Sequence, residues 1–224
     1  MSPSSPPSYS FMCWREVCMR CGVCAYPQVA HTHTPTESFV HQEAVPRVPD
    51  VKELPFTTEK LSEIVNDASV AELEQHDRQF IRQSIGMYTP IQHKCASVED
   101  LQPQYWRSQP PNEPRPPYKL VYLRLHRRLS DTPGDHHAAL AYLSDWGVLE
   151  TCLRPHPVGY YNTSLLPSSI SHSVYIHDPT VRVDDWILCQ VYSPIIRNKI
   201  AIIQCKYFTV SGVLFASATQ EALI

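Results

Sequence analysis

From Tyr118 to the C-terminus the apolar positions keep to two clear periods. Between Leu120 and His126, Val121, Leu123 and Leu125 alternate with polar or aromatic neighbours, which predicts a strand with one buried face. Gly134-Asp135 then opens a segment in which Ala138, Ala141, Tyr142, Val148, Leu149 and Cys152 recur at helical spacing until Pro155 stops it, so one long helix is expected. Period two returns in Ile170 to His177, Trp186 to Tyr192, Ile200 to Thr209 and Val213 to Ile224, with Ser211-Gly212 as the turn between the last two. Strand, helix and a run of strands predict an α+β domain over residues 118–224, an antiparallel sheet wrapped around one long helix.

Upstream, neither period is sustained. Fifteen of the 21 prolines fall in residues 1–117. Pro46, Pro49 and Pro55, then Pro103, Pro110, Pro111, Pro114, Pro116 and Pro117, mark extended stretches unsuited to continuous helix or central strand. One helical island lies between them. Ser69-x-x-Glu72 has capping-box form, and Val70, Leu73, Asp77, Phe80 and Ile81 give a stripe that carries the helix to about residue 84. The expected organisation is therefore an N-terminal extension over 1–34, disordered or misassigned, a Pro-rich linker with a short helix over 35–117, and the α+β domain.

Charge and cysteine usage narrow the function classes. A net charge of -3, with no basic run longer than Arg127-Arg128, offers no field for nucleic acid. No apolar stretch approaches the roughly 20 residues of a membrane span, and the first residues lack a signal-peptide pattern, so a soluble intracellular protein is expected. Of the eight cysteines, Cys95, Cys152, Cys189 and Cys205 are scattered through core-like segments and read as free thiols. Cys13, Cys18, Cys21 and Cys24 form a C-x4-C-x2-C-x2-C cluster that resembles a metal site, but Gln28 stands where a further ligand is needed. No metal is expected there.

Two polar residues interrupt apolar stripes. Asp145 lies three or four residues from Ala141, Tyr142, Val148 and Leu149, which on a continuous helix buries its carboxylate at a cost of several kcal/mol unless partners satisfy it. It is a partnered core residue, a residue rotated to the rim, or a working carboxylate. In the last strand, Leu214, Ala216, Ala218, Gln220, Ala222 and Ile224 share a face on which Gln220 alone is polar. Such an amide ties down backbone groups or orients a water. Two inward polar groups on separate elements point to a shared site.

Ala139-Leu-Ala-Tyr-Leu-Ser-Asp145 with Leu153-Arg-Pro-His156, Ser169-Ile-Ser-His-Ser-Val-Tyr-Ile-His177, Asp185-Trp186 and Ala216-Ser-Ala-Thr-Gln-Glu221 resemble, in order and spacing, the signatures of the acyl-CoA thioesterase II family. Val48-Pro-Asp-Val-Lys-Glu-Leu-Pro55 is similar to the linker between that family's two hotdog domains. The resemblance implies a hotdog fold, hydrolysis of fatty acyl-CoA, no cofactor, and a catalytic trio of Asp145, Ser169 and Gln220 that holds a water against the thioester carbonyl. Ser169 is then a hydrogen-bonding residue and not a nucleophile, since the chain has no Gly-x-Ser-x-Gly elbow. His172 and His177 are expected to pack or bond within their strand.

Departures from the family pattern are Ser171 for an Asp, which removes a carboxylate expected near the site, Tyr175 for a Trp, and Pro194-Ile-Ile-Arg-Asn198, where Arg197 keeps the charge expected to meet CoA phosphate. Most of the first hotdog domain has no counterpart here. A homodimer that restores the pair, or a catalytically weak half that binds or scaffolds, are the two expectations. The family points to the peroxisomal matrix, although the chain ends Ala222-Leu-Ile224 and not in Ser-Lys-Leu.

Overall fold

Among the described residues, six strands, each paired antiparallel with its neighbours, form one sheet in the spatial order β1-β2-β4-β5-β6-β3. They are β1 (Ile91–Cys95), β2 (Tyr118–Leu125), β3 (Ser168–Ile176), β4 (Ile187–Arg197), β5 (Ile200–Thr209) and β6 (Leu214–Leu223). The computed structural model describes residues 41–71, 73–86, 89–101, 114–158 and 167–224, and the sheet belongs to the unit Gln42–Ile224. The Cys13 to Cys24 cluster and the expected N-terminal extension lie outside the described residues. A two-residue turn joins β4 to β5, with Asn198 and Lys199 both at positive φ (51° and 66°), the conformation whose twist suits a tight hairpin. Gly212 (φ 94°) serves the β5–β6 hairpin, and a side chain there would press to 3.2 Å from Val45.

The inner face of the sheet holds the main core. Val121 and Leu123 from β2, Ile187, Cys189 and Val191 from β4, Ala201, Ile203, Cys205 and Tyr207 from β5, and Ala216, Ala218 and Ala222 from β6 all bury there. Cys95, Cys152, Cys189 and Cys205 are free and buried. A register shift between Tyr207 and Phe208 gives β6 an extra residue, so that Phe215 and Ala216 both join this core.

The helix differs from expectation in two ways. It is not continuous: α3 (Pro133–Leu143) ends at Ser144, the chain turns through Gly147 at φ 62°, and a short α4 follows (Glu150–Leu153). Its buried face is His136, Ala139, Leu140 and Leu143, whereas Ala138 and Tyr142 are exposed. Ala138-Ala-Leu-Ala-Tyr-Leu143 is apolar on every side, so spacing alone could not choose the face. The imidazole of His136 fits the core because Nε2 meets Ser130 O at 3.0 Å and Nδ1 accepts the Val183 N–H at 3.4 Å. Asp145 consequently sits in the turn after α3 and is exposed, not buried as a continuous helix would require.

The segment read as linker contains more structure than expected. Two helices, α1 (Thr57–Asn66) and α2 (Gln75–Gly86), pack through Leu61, Val65, Leu73 and Ile81. Helix α2 begins later than the Ser69 capping box suggested, and β1 extends the sheet beyond β2. Residues 42–56 cross the outer face of the sheet, where Val51 and Leu54 pack with Ala96, Tyr122, Leu188 and Phe208. Gln42 clamps the hairpin by donating to Gly212 O (2.8 Å) and accepting from Leu214 N (3.1 Å). Lys94 donates to Val51 O at 2.9 Å, with its ammonium 4.8 Å from the Phe56 ring centroid.

A buried carboxylate ties the entry of β4 to the loop after β2. Asp184, whose side chain is 0% exposed, accepts from Leu129 N (2.7 Å) and from Arg182 through Nε (3.0 Å) and Nη2 (2.9 Å). Burial pushes its pKa up, but these bonds and the charges of Arg182 and Arg128 outweigh burial and hold it at about 2. Its contribution to stability is therefore complete above the unfolded value of 3.8 and is lost as pH falls through about 2. Asp184→Asn is expected to cost about 2–3 kcal/mol at neutral pH, since it replaces the buried charged partner of Arg182 by a neutral amide and leaves that guanidinium only Asp131 and Leu129 O. Urea denaturation of both proteins at pH 7 and pH 3 checks this: the gap should narrow at the lower pH.

Candidate active site

Gln220, Ser169 and Asp145 come from three elements and meet at one end of the sheet. Gln220 keeps the place expected of it in the buried stripe of β6, at 1% exposure. Ser169 lies on the neighbouring β3, opposite Ala222, and a register shift follows between Ser169 and Ser171. Asp145 reaches the pair from the turn beyond α3. Gln220 Nε2 donates to Asp145 Oδ1 at 2.6 Å and also to Ser169 Oγ, while Ser169 Oγ donates to the same Asp145 Oδ1 at 3.4 Å.

Chemistry fixes the direction of these bonds. An ionised carboxylate only accepts, so the amide must turn its NH2 toward Asp145 and leave Oε1 on the other side. That Oε1 is buried without a hydrogen-bond partner among the described residues. Both donors converge on Oδ1 and Asp145 is exposed, so neither of them occupies Oδ2, which can accept from a water.

Several side chains fix the turn that carries Asp145. Lys119 donates to Gly147 O at 3.3 Å and pairs with Glu150 Oε1 at 2.5 Å. Burial works against the charge on Lys119, but Glu150, together with smaller contributions from Cys95 and Asp100, outweighs it and raises the ammonium pKa above 10.5. The His93 ring packs against Trp146 with centroids 4.6 Å apart and the planes tilted by 56°. Burial, with a smaller push from Lys119, lowers His93 from 6.5 to about 3, so the ring stays neutral. This contribution is complete above pH 6.5 and is lost as pH falls toward 3, because the unfolded chain takes the proton first. His93→Phe, which keeps an aromatic ring against Trp146, is expected to flatten stability against pH over that window. Thermal melts between pH 7 and pH 4 measure it.

The remaining residues singled out in the sequence divide. His177 stays with the sheet, its Nε2 3.0 Å from Ser217 Oγ. His172 does not: its Nε2 lies 3.2 Å from Ser144 Oγ, next to Asp145. Ser171 is turned away from the trio, since the register shift sets it opposite Glu221, whose carboxylate takes its hydroxyl at 2.9 Å. A carboxylate at position 171 would thus not stand beside Asp145 in this geometry. Arg197 is exposed at the same end of the sheet, three strands from β3, or roughly 14 Å at ordinary strand spacing. Lys119, Glu150 and His93 escaped the sequence reading because nothing in their local pattern tells a buried pair from a surface one. Among the described residues no group of three or more His, Cys, Asp or Glu is placed to hold a metal, and no helix is long and apolar enough to cross a membrane.

Comparison with known proteins agrees with this architecture. Residues 67–224 match the family model described as the acyl-CoA thioesterase C-terminal domain. Acyl-coenzyme A thioesterase 8 of Rattus norvegicus is 25% identical over 187 residues, 82% of this chain and 53% of that protein. The chain thus spans about half the length of this curated relative. An acyl-CoA thioesterase II, TesB2 from Mycobacterium marinum, superposes with a TM-score of 0.54 at 24% identity, over 85% of this chain and 59% of that one. A conserved protein of unknown function with hot dog fold from Alicyclobacillus acidocaldarius gives a TM-score of 0.53 at 17% identity, over 84% and 58%. The domain has the hotdog fold, and with more than half of its length matched by the family model, the chain belongs to the acyl-CoA thioesterase C-terminal domain family.

Proposed function

We propose that the chain hydrolyses the thioester of fatty acyl-CoA by direct attack of water, with Asp145 as general base. The observation that carries this reading is the convergence of Gln220 and Ser169 on Asp145 Oδ1, which orients the carboxylate and leaves Oδ2 for a water. Asp145 takes a proton from that water as its oxygen bonds to the thioester carbon. Collapse of the tetrahedral intermediate expels CoA as its thiolate, leaving the free acid. Ser169 and Gln220 hold geometry and form no covalent intermediate. Release of CoA thiol from medium-chain and long-chain acyl-CoA, followed with a thiol reagent, tests the reaction. Arg197 is the side chain assigned to CoA phosphate, and the peroxisomal matrix is the compartment that the family suggests.

The site needs a cover, because Asp145 and Ser169 both lie open on the surface. Among the described residues, strand β3 is an edge strand paired only with β6, and it exposes Ile170 (56%), Tyr175 (57%) and Ile176 (37%). A second copy placed along β3 would continue the sheet, cover these residues and close a cleft over the trio. The rival reading, a weakly active half that binds without turnover, draws on the same openness.

A further inference from the structure

His172 stands directly opposite Gln220 in the β3–β6 pairing, so both side chains project toward the face that carries Asp145. The imidazole does not touch the carboxylate. It reaches Ser144, the fully buried residue immediately before Asp145 and the C-cap of α3. Ser144 Oγ donates its only proton to Ala141 O at 3.0 Å. With that proton committed, the hydroxyl can only accept from His172 Nε2 at 3.2 Å, which makes the ring the Nε2–H tautomer. On its other side the Ser144 carbonyl accepts the Tyr207 O–H at 3.4 Å. Two strands therefore hold the peptide from which the Asp145 side chain projects.

We propose that His172 is a positioning residue for Asp145, acting through the Ser144 hydroxyl as the neutral Nε2–H imidazole. This rests on the reading of Asp145 as the base. Without the tie, the Ser144 peptide keeps Tyr207 and the turn keeps Lys119, but the side of the turn facing β3 loses its anchor, and Oδ1 shifts from the geometry that Gln220 and Ser169 define.

The charges around the ring decide how pH acts on it. Asp145 is the ionised group that faces it, while Ser144 and Gln220 are neutral, and Glu221 is turned to the opposite face with Ser171. Partial burial lowers the His172 pKa below 6.5 and Asp145 offsets part of that, so the ring is neutral at neutral pH. A proton on Nδ1 would preserve the Ser144 bond but set a positive charge beside the carboxylate, competing with the water for it.

The test uses the full chain with an acyl-CoA substrate. His172→Ala should lower kcat about 10-fold with KM nearly unchanged, the signature of lost orientation and not of lost binding. His172→Gln, whose amide can still donate to Ser144, should recover most of that rate and show a shallower acid limb than the parent. Without any turnover, NMR titration of the His172 ring should move to lower pH in Asp145→Asn. His172→Ala with parental kcat and pH profile overturns the proposal, as does a rise in KM at constant kcat. An inactive Asp145→Asn in which His172 titrates as in the parent leaves the base assignment standing and removes His172 from it. A fully active Asp145→Asn removes the base itself.

Discussion

Asp145→Asn is expected to lower kcat by about 100-fold or more while leaving the fold unchanged, because general-base catalysis contributes rate factors of that order. The substitution is nearly isosteric, and the carbonyl of the new amide could still accept from Gln220 and Ser169, so the site keeps its geometry and loses its proton acceptor. Asp145 is exposed and stands outside the main core, hence the melting temperature should barely move. Gln220→Leu should cost less rate, since it removes orientation and not the base, but should leave Ser169 and Asp145 without their shared donor. The checks are thiol release under saturating acyl-CoA and circular dichroism of each variant. Equal turnover by Asp145→Asn and the parent would sink the assignment.

Activity is expected to fall on dilution in step with dissociation of a homodimer built along β3. The outer face of the sheet carries part of its own cover in residues 42–56, so the demand for a partner is concentrated on the β3 edge and the open trio. Tyr175→Lys, at a position already 57% exposed, should preserve the fold yet place like charges across that interface. Light scattering and specific activity measured over one dilution series should fall together, and Tyr175→Lys should shift both to higher concentration. A stable monomer with full hydrolysis at every dilution defeats the dimer. A stable monomer without hydrolysis favours the weak half-domain.

These two outcomes bear on different levels of the chain. The first concerns three side chains that the fold brings within hydrogen-bonding distance, and the second concerns what covers them. Lys119, Glu150, His93 and Trp146 belong to neither, yet they set where the turn after α3 runs. Their substitution should be read as loss of support for Asp145 before it is read as loss of chemistry.

Period two in β2, β4, β5 and β6 was legible in the sequence because each strand presents one face to a single core, and that alternation also exposed Gln220 as an intruder. The order of motifs was legible for the same local reason. Strand β1 was not, since Ile91-Gln-His-Lys-Cys95 shows no clean alternation and draws its stability from pairing with β2. The face and end of α3 were not, because an apolar ring of residues leaves rotation undetermined, and Gly147 ends the run only in concert with Lys119 and Glu150. For Asp145 the sequence identified the residue but left its environment open between core and rim, and the structure exposes it. A spacing rule assumes that a helix continues, whereas contacts from strands distant in sequence stop it at Ser144 and turn the carboxylate out of the core, onto Gln220 and Ser169.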